Sequence, residues 1–177
     1  LYLPPSRKET ELKQKWQCRC SLSRWVVTMI SKRSPHISFA SFTPISWASC
    51  GVTSFAPASM TLPYDVLEKA FATAKQLKAE APAGHARLMG IQMEGPYFSY
   101  KKRGAQNPDY LKEPDFEGFK ALYDGCDGLV RIVDIAPELP GAAEFVEKAS
   151  KLCTVSIAHT DSDYDHARAA VDAGVTH

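Results

Sequence analysis

Residues 90–108 read GIQMEGPYFSYKKRGAQNP. A short apolar run ends in a single acid, Glu94, and Gly95-Pro96 follow at once. Proline has no N–H for a sheet ladder, so it stops a central strand, and the glycine before it eases the turn. The stretch therefore sets a carboxylate at the tip of a buried strand. The chain then enters a loop with Tyr97, Phe98 and the basic run Lys101-Lys102-Arg103. The device recurs further on. LVRIVDIAPE (129–138) reads as a strand stopped by Pro137 and delivers Glu138, and CTVSIAH (153–159) delivers His159.

Helical patterns fill the spaces between these runs. GVTSFAPAS (51–59) reads as a short strand with its exit loop. Pro63 opens a helix to about residue 80, with Val66, Leu67, Ala70, Phe71 and Ala74 on one face. The strand at 87–93 precedes a helix at 116–124, with Phe116, Phe119, Leu122 and Tyr123 inward. Residues 141–152 form the next helix, on Ala142, Phe145, Val146, Ala149 and Leu152. The last helix starts after Ser162, read as its N-cap with Asp165 as partner, and stops at Gly174. Val175 then begins another strand. Strand and helix alternate throughout, which argues for a parallel sheet with crossover helices, either an open doubly wound sheet or part of a (β/α)8 barrel.

The chain has 177 residues, enough for one ordinary domain but short of the roughly 250 that a full barrel needs. It is 45% hydrophobic and 23% charged with a formal net charge of +1, which points neither to nucleic acid nor to a membrane. No apolar run approaches the roughly 18 residues of a span, and residues 1–3 lead into prolines and charges rather than into the apolar core of a signal peptide. Five cysteines, with only Cys18 and Cys20 close together, give no disulfide framework, so a reducing cytoplasm is the expected setting.

Composition shifts near residue 50. Residues 1–50 hold eight Lys/Arg against two Glu, with all three tryptophans and nine serines, and no sustained period. Residues 51–177 turn acidic, with thirteen Lys/Arg against eighteen Asp/Glu. Residues 1–48 are therefore read as an irregular segment, with RKETELKQKW as its one short helix. The hypothesis for its origin is a frame-shifted or mispredicted translation joined to a gene fragment.

In a parallel α/β protein, chemistry gathers where strands end. A carboxylate and an imidazole on one rim, Glu94 and His159, suit a divalent metal that lowers the pKa of a water. Taken singly, a Glu after a strand is more often a solvated loop acid, and a lone His a surface residue. Glu138 reads as an acid at the N-terminus of the following helix. His36, His85 and His166 read as bystanders, the basic run as a solvated loop, and Cys18 and Cys20 lack two further ligands at zinc spacing.

The wording of the strand ends is more specific. GIQMEGPYFSYKKRGAQNP, SCGVTSFAPASMT (49–61), VDIAPELPGA (133–142) and VSIAHTDSDYDHARAAVDAGVTH (155–177) together resemble the N-acetylglucosamine-6-phosphate deacetylases of the amidohydrolase superfamily, in order and over about residues 49–177. The resemblance implies a partial (β/α)8 TIM barrel of the metal-dependent amidohydrolase type. It implies cytoplasmic hydrolysis of N-acetyl-D-glucosamine 6-phosphate to D-glucosamine 6-phosphate and acetate. Its metal ligands would be Glu94 and His159, with one divalent ion per site, zinc or iron. Ala105 would touch the substrate through its backbone.

The partner would be a small amino-sugar phosphate, and a family-like homodimer is a further implication. The family's second ligand histidine would fall about three residues beyond His177, itself at a non-ligand position. The catalytic aspartate would also lie beyond residue 177, so no catalytic residue is assigned and the chain as given is expected to be poorly active or inactive. Gln92 and Gln106 stand where histidines are common in the family, and residues 1–50 lack its early D-x-H-x-H-G metal segment. These departures argue against a two-metal site. The rival readings are a non-catalytic α/β interaction domain with a basic N-terminal arm, and an amidohydrolase of another amide.

Overall fold

The computed structural model describes residues 51–80 and 83–177. The expected short helix, the Cys18–Cys20 pair, His36 and the irregular 1–48 segment lie outside the described residues. Strands and helices alternate as β1 (Ser54–Phe55), α1 (Tyr64–Glu80), β2 (Arg87–Leu88), β3 (Ile91–Met93), α2 (Phe116–Gly125), β4 (Val130–Ile135), α3 (Ala142–Ala149), β5 (Thr154–Ile157) and α4 (Tyr164–Ala173). A 3-10 turn at Pro108–Tyr110 lies in the loop after β3. Among the described residues no helix is long and apolar enough to cross a membrane.

The strands pair in parallel and in chain order. β1 pairs with β2, and β3, β4 and β5 form a second ladder. The two ladders are continuous through a parallel bridge between Ala58 and Gln92, where Gln92 N–H donates to Pro57 O and Ser59 N–H to Gln92 O, each at 2.9 Å. The expected single strand over 87–93 is thus broken in two. Its first half pairs with β1, its second half with β4, and the register shifts between Ile91 and Gln92. Gly90 sits at the break because a Cβ there would lie 2.2 Å from Cγ of Arg131. Beyond α4 the backbone runs beside β5. Thr176 N–H donates to Val155 O, and Ile157 N–H to His177 O. The strand expected from Val175 is a pairing without an assigned strand.

Side-chain alternation gives the layer two faces. Met93, Val133, Ile135 and Val155 are fully buried in the apolar core, to which all four helices contribute. That core takes Leu67, Phe71 and Ala74 from α1, Phe119 and Leu122 from α2, Phe145, Val146 and Ala149 from α3, and Ala170 from α4. Phe119 and Phe145 meet at 5.4 Å between ring centroids. The predicted helical faces are those observed, with Val66, Ala70, Phe116 and Tyr123 at their half-buried margins. Gln92, Glu94, Asp134 and Ser156 alternate with the core residues along their strands, and all but the half-buried Gln92 are buried. A polar row therefore leads along the sheet towards the strand tips.

Two helix ends differ from expectation. Helix α3 stops at Ala149, and tighter turns follow, in which Lys151 N–H returns to Lys148 O and Leu152 N–H to Ala149 O. The N-cap of α4 is Asp163, not Ser162. Its carboxylate accepts from His166 N–H at 2.9 Å, three residues on, whereas Ser162 uses its own N–H on Thr160 Oγ1.

Candidate metal centre

All strands run the same way, so the ends of β3, β4 and β5 open on one rim. Glu94 follows β3 directly. Its N–H donates to Ser59 Oγ at 3.1 Å, tying it to the exit of β1. Gly95 then turns with φ 87°, and a Cβ there would lie 2.1 Å from Thr61 Oγ1. The two aromatics after the turn have separate tasks. Tyr97 is wholly buried against Phe145, donates its hydroxyl to Asp115 O and meets the Tyr64 hydroxyl. Phe98 lies under the His159 ring, with centroids 4.4 Å apart.

His159 ends β5. Its φ is +47°, a left-handed backbone that costs a non-glycine residue about 1–2 kcal/mol. The loop after β3 holds it there: Ser99 N–H donates to His159 O at 3.1 Å, and the ring meets Lys102 O through Nδ1 at 2.9 Å. The structure brings the two predicted ligands together, with His159 Nε2 3.2 Å from Glu94 Oε1. Glu94 is buried and His159 half-buried. A carbonyl oxygen only accepts, so Nδ1 carries the ring proton on Lys102. With the ring in its neutral form, Nε2 presents a lone pair to a carboxylate oxygen. Two acceptors so close repel unless a proton or a cation lies with them.

The buried Gln106 completes the surroundings of Glu94. Its Oε1 accepts from Thr61 N–H at 2.8 Å, and its Nε2 donates to Glu94 Oε1 at 2.9 Å. Gln92 donates to Asp134 Oδ2 at 2.8 Å in the polar row, and Asp134 Oδ1 is buried without a partner. His177 meets Ser156 Oγ through Nδ1 at 3.0 Å. Ala105 is exposed on the loop between the buried Gln106 and Gly104, which approaches His159 Cε1.

Glu138 does not cap the following helix. Its carboxylate accepts from Thr160 Oγ1 and from Asp161 N–H, binding the loop after β5 instead. Partial burial pushes its carboxyl up, but the bonds from Thr160, Asp161 and Ser99 outweigh that and hold it below the usual range. The basic run is engaged: the exposed Lys101 and Lys102 both pair with Asp161, and the half-buried Arg103 stacks on Tyr100. His166 is exposed and bonds to Asp163, and His85 is half-buried with an unpartnered Nδ1. The cysteines described, Cys126 and Cys153, are free, and burial pushes the Cys153 thiol up to about 12.

Among the described residues no group of three or more His, Cys, Asp and Glu side chains is arranged to hold a metal. The donor pair nevertheless fits one. Two ligands of a tetrahedral zinc, each about 2.0–2.1 Å from it, lie about 3.3–3.4 Å apart. The observed 3.2 Å separation approaches that edge. A ligating histidine typically gives its other N–H to a carbonyl or carboxylate, as His159 does to Lys102.

Fold and rim define a parallel α/β protein whose candidate chemistry sits at the carboxyl ends of its strands. The matched part of the chain is homologous to a segment of the N-acetylglucosamine-6-phosphate deacetylases. The chain is 37% identical to the enzyme of that name from Bos taurus over 132 residues, which cover 72% of this chain and 32% of the relative. With the Bacillus subtilis enzyme the identity is 33% over 130 residues, covering 72% and 33%. The crystal structure of N-acetyl-D-glucosamine-6-phosphate deacetylase from Mycobacterium smegmatis superposes with a TM-score of 0.68 at 30% identity, over 75% of this chain and 34% of that one. A mutant of the same enzyme has been solved in complex with N-acetyl-D-glucosamine-6-phosphate. The chain thus spans about a third of the length of the curated relatives it matches. No protein-family model matches it.

Sequence reasoning placed Glu94 and His159 but gave Gln106 no role beyond a departure from the family pattern. A buried glutamine in a polar loop leaves no periodic signal. Ser59, the Lys102 carbonyl and the Phe98 ring were equally invisible as neighbours of the site.

Proposed function

We propose that the chain is part of an N-acetylglucosamine-6-phosphate deacetylase, a metal-dependent hydrolase of the cytoplasm. The reaction is cleavage of the acetamide of N-acetyl-D-glucosamine 6-phosphate to D-glucosamine 6-phosphate and acetate. The architecture is an arc of a (β/α)8 barrel. Strand order follows chain order without the reversal that marks a doubly wound sheet, which supports the barrel over the open alternative.

The observation that carries the reading is the 3.2 Å approach of Glu94 Oε1 and His159 Nε2 with Nδ1 committed to a carbonyl. Glu94 and His159 would hold one divalent ion, and carboxylate with imidazole suits zinc or ferrous iron. Such an ion, when bound, polarises an amide carbonyl and makes water acidic enough to attack it near neutral pH. The chain's own residues orient these ligands. Lys102 O fixes the ring tautomer of His159, Phe98 supports the ring, and Ser59 fixes the Glu94 backbone. Ala105, exposed between Gly104 and Gln106, would contact the sugar through its backbone.

Metal analysis after equilibration with zinc tests this. About one ion per chain is expected for the wild type, lost in Glu94→Ala and in His159→Ala while both variants keep their circular dichroism. A wild type that takes up no divalent ion, or an ion retained by both variants, would overturn the reading.

A further inference from the structure

Gln106 makes two hydrogen bonds whose order is forced. Thr61 N–H can only donate, so the atom facing it at 2.8 Å is the carboxamide oxygen. The amide nitrogen is thereby turned to Glu94 Oε1, at 2.9 Å. The residue is 5% exposed, so water does not compete for either bond. The donor reaches the same oxygen that faces His159 Nε2, leaving that oxygen little freedom to turn away. The link also ties the β1 exit loop, distant in sequence, to the tip of β3 and the loop beyond it.

We infer that Gln106 is a positioning residue: its carboxamide, polarised by the Thr61 N–H, fixes Glu94 Oε1 against His159 in the geometry of a shared cation. The role in cation binding rests on the function proposed above. The role in placing the carboxylate does not. The Gln106 oxygen is turned to Thr61, and the nitrogen that faces Glu94 has no free lone pair for a metal.

The test uses the 177-residue chain with Gln106→Met, which keeps the length and removes both hydrogen-bonding groups, and Gln106→His, which can still donate to Glu94. Crystal structures of the zinc-free proteins give the first readout. In Gln106→Met the Glu94 carboxylate should leave His159 Nε2, and in Gln106→His it should stay. A carboxylate unmoved in the methionine variant overturns the inference, with or without a metal. Zinc titration gives the second readout, with an expected loss of about 10–100-fold in affinity for Gln106→Met, as for other groups that orient ligands, and recovery for Gln106→His.

Equal affinity in all three proteins, or equal loss in both variants, would overturn the role in cation binding. Thermal unfolding of the zinc-free chains separates this from a general loss of structure, because Gln106→His is expected to match Gln106→Met in stability more closely than in affinity. If the wild type binds no zinc, the functional reading fails, while the structural readout still decides the placement of Glu94. If Gln106→Met does not fold, the histidine variant decides: a displaced carboxylate there overturns the inference, and a retained one supports it.

Discussion

Asp134 sits in β4 at 1% exposure, with Oδ1 unpartnered and Oδ2 held by Gln92. Burial pushes its carboxyl above the usual range, and the donors Gln92 and Ser156 with the imidazoles of His159 and His177 only partly offset it. The folded state then holds the proton at pH values where the unfolded chain has released it. Stability from this site therefore falls as pH rises from the ordinary aspartate range through the raised value. Asp134→Asn removes the buried charge, so its melting temperature should exceed the wild type's at neutral pH. The gap should close as pH falls through and below the ordinary aspartate range, where the carboxyl is protonated in the folded and the unfolded chain alike. A gap independent of pH would show that Asp134 is not the source. At Gly95 the backbone has φ 87° and a Cβ would collide with Thr61 Oγ1. Gly95→Ala should cost at least about 1–2 kcal/mol in denaturant unfolding.

Among the elements, helix α4 tests the reassigned cap. Asp163→Ala should destabilise the protein by about 1 kcal/mol, whereas Ser162→Ala should change it little. The reverse ranking would restore Ser162. The sequence did not separate the two, because Ser162 and Asp163 are both good caps and only the backbone turn after Thr160 decides which one faces the free N–H groups. The helices α2 and α3 were legible from their apolar spacing. Their mutual contact through Phe119 and Phe145 was not, since spacing marks a face but not its partner. Phe145→Ala should cost about 3–5 kcal/mol, read by urea unfolding. The split of the second strand had one local sign, Gly90, whose need appears only when β4 brings Arg131 alongside.

At the scale of the whole molecule, a cation held by Glu94 and His159 binds the folded chain alone and shifts its stability by mass action. At 100 times its dissociation constant, zinc should add about 2.7 kcal/mol to unfolding, reversed by chelator. Glu94→Ala should abolish the increment. The pair closes a long loop in the fold, since residues 94 and 159 follow strands separated by β4. Their meeting therefore reports that the strand order and the register of the layer are formed. Loss of the zinc effect with an intact far-ultraviolet spectrum would locate the fault at the rim rather than in the sheet.

The order of strands and helices, the buried face of each helix and the placing of Glu94 and His159 at strand tips were written in the sequence. Each depends on local matters: the apolar period, and the glycines and prolines that stop an element. The 3.2 Å approach of the two side chains, the Gln106 bridge and the unpartnered oxygen of Asp134 were decided by tertiary structure. They depend on register between strands and on loops folding back over the rim, and both are set by contacts between residues far apart in the chain.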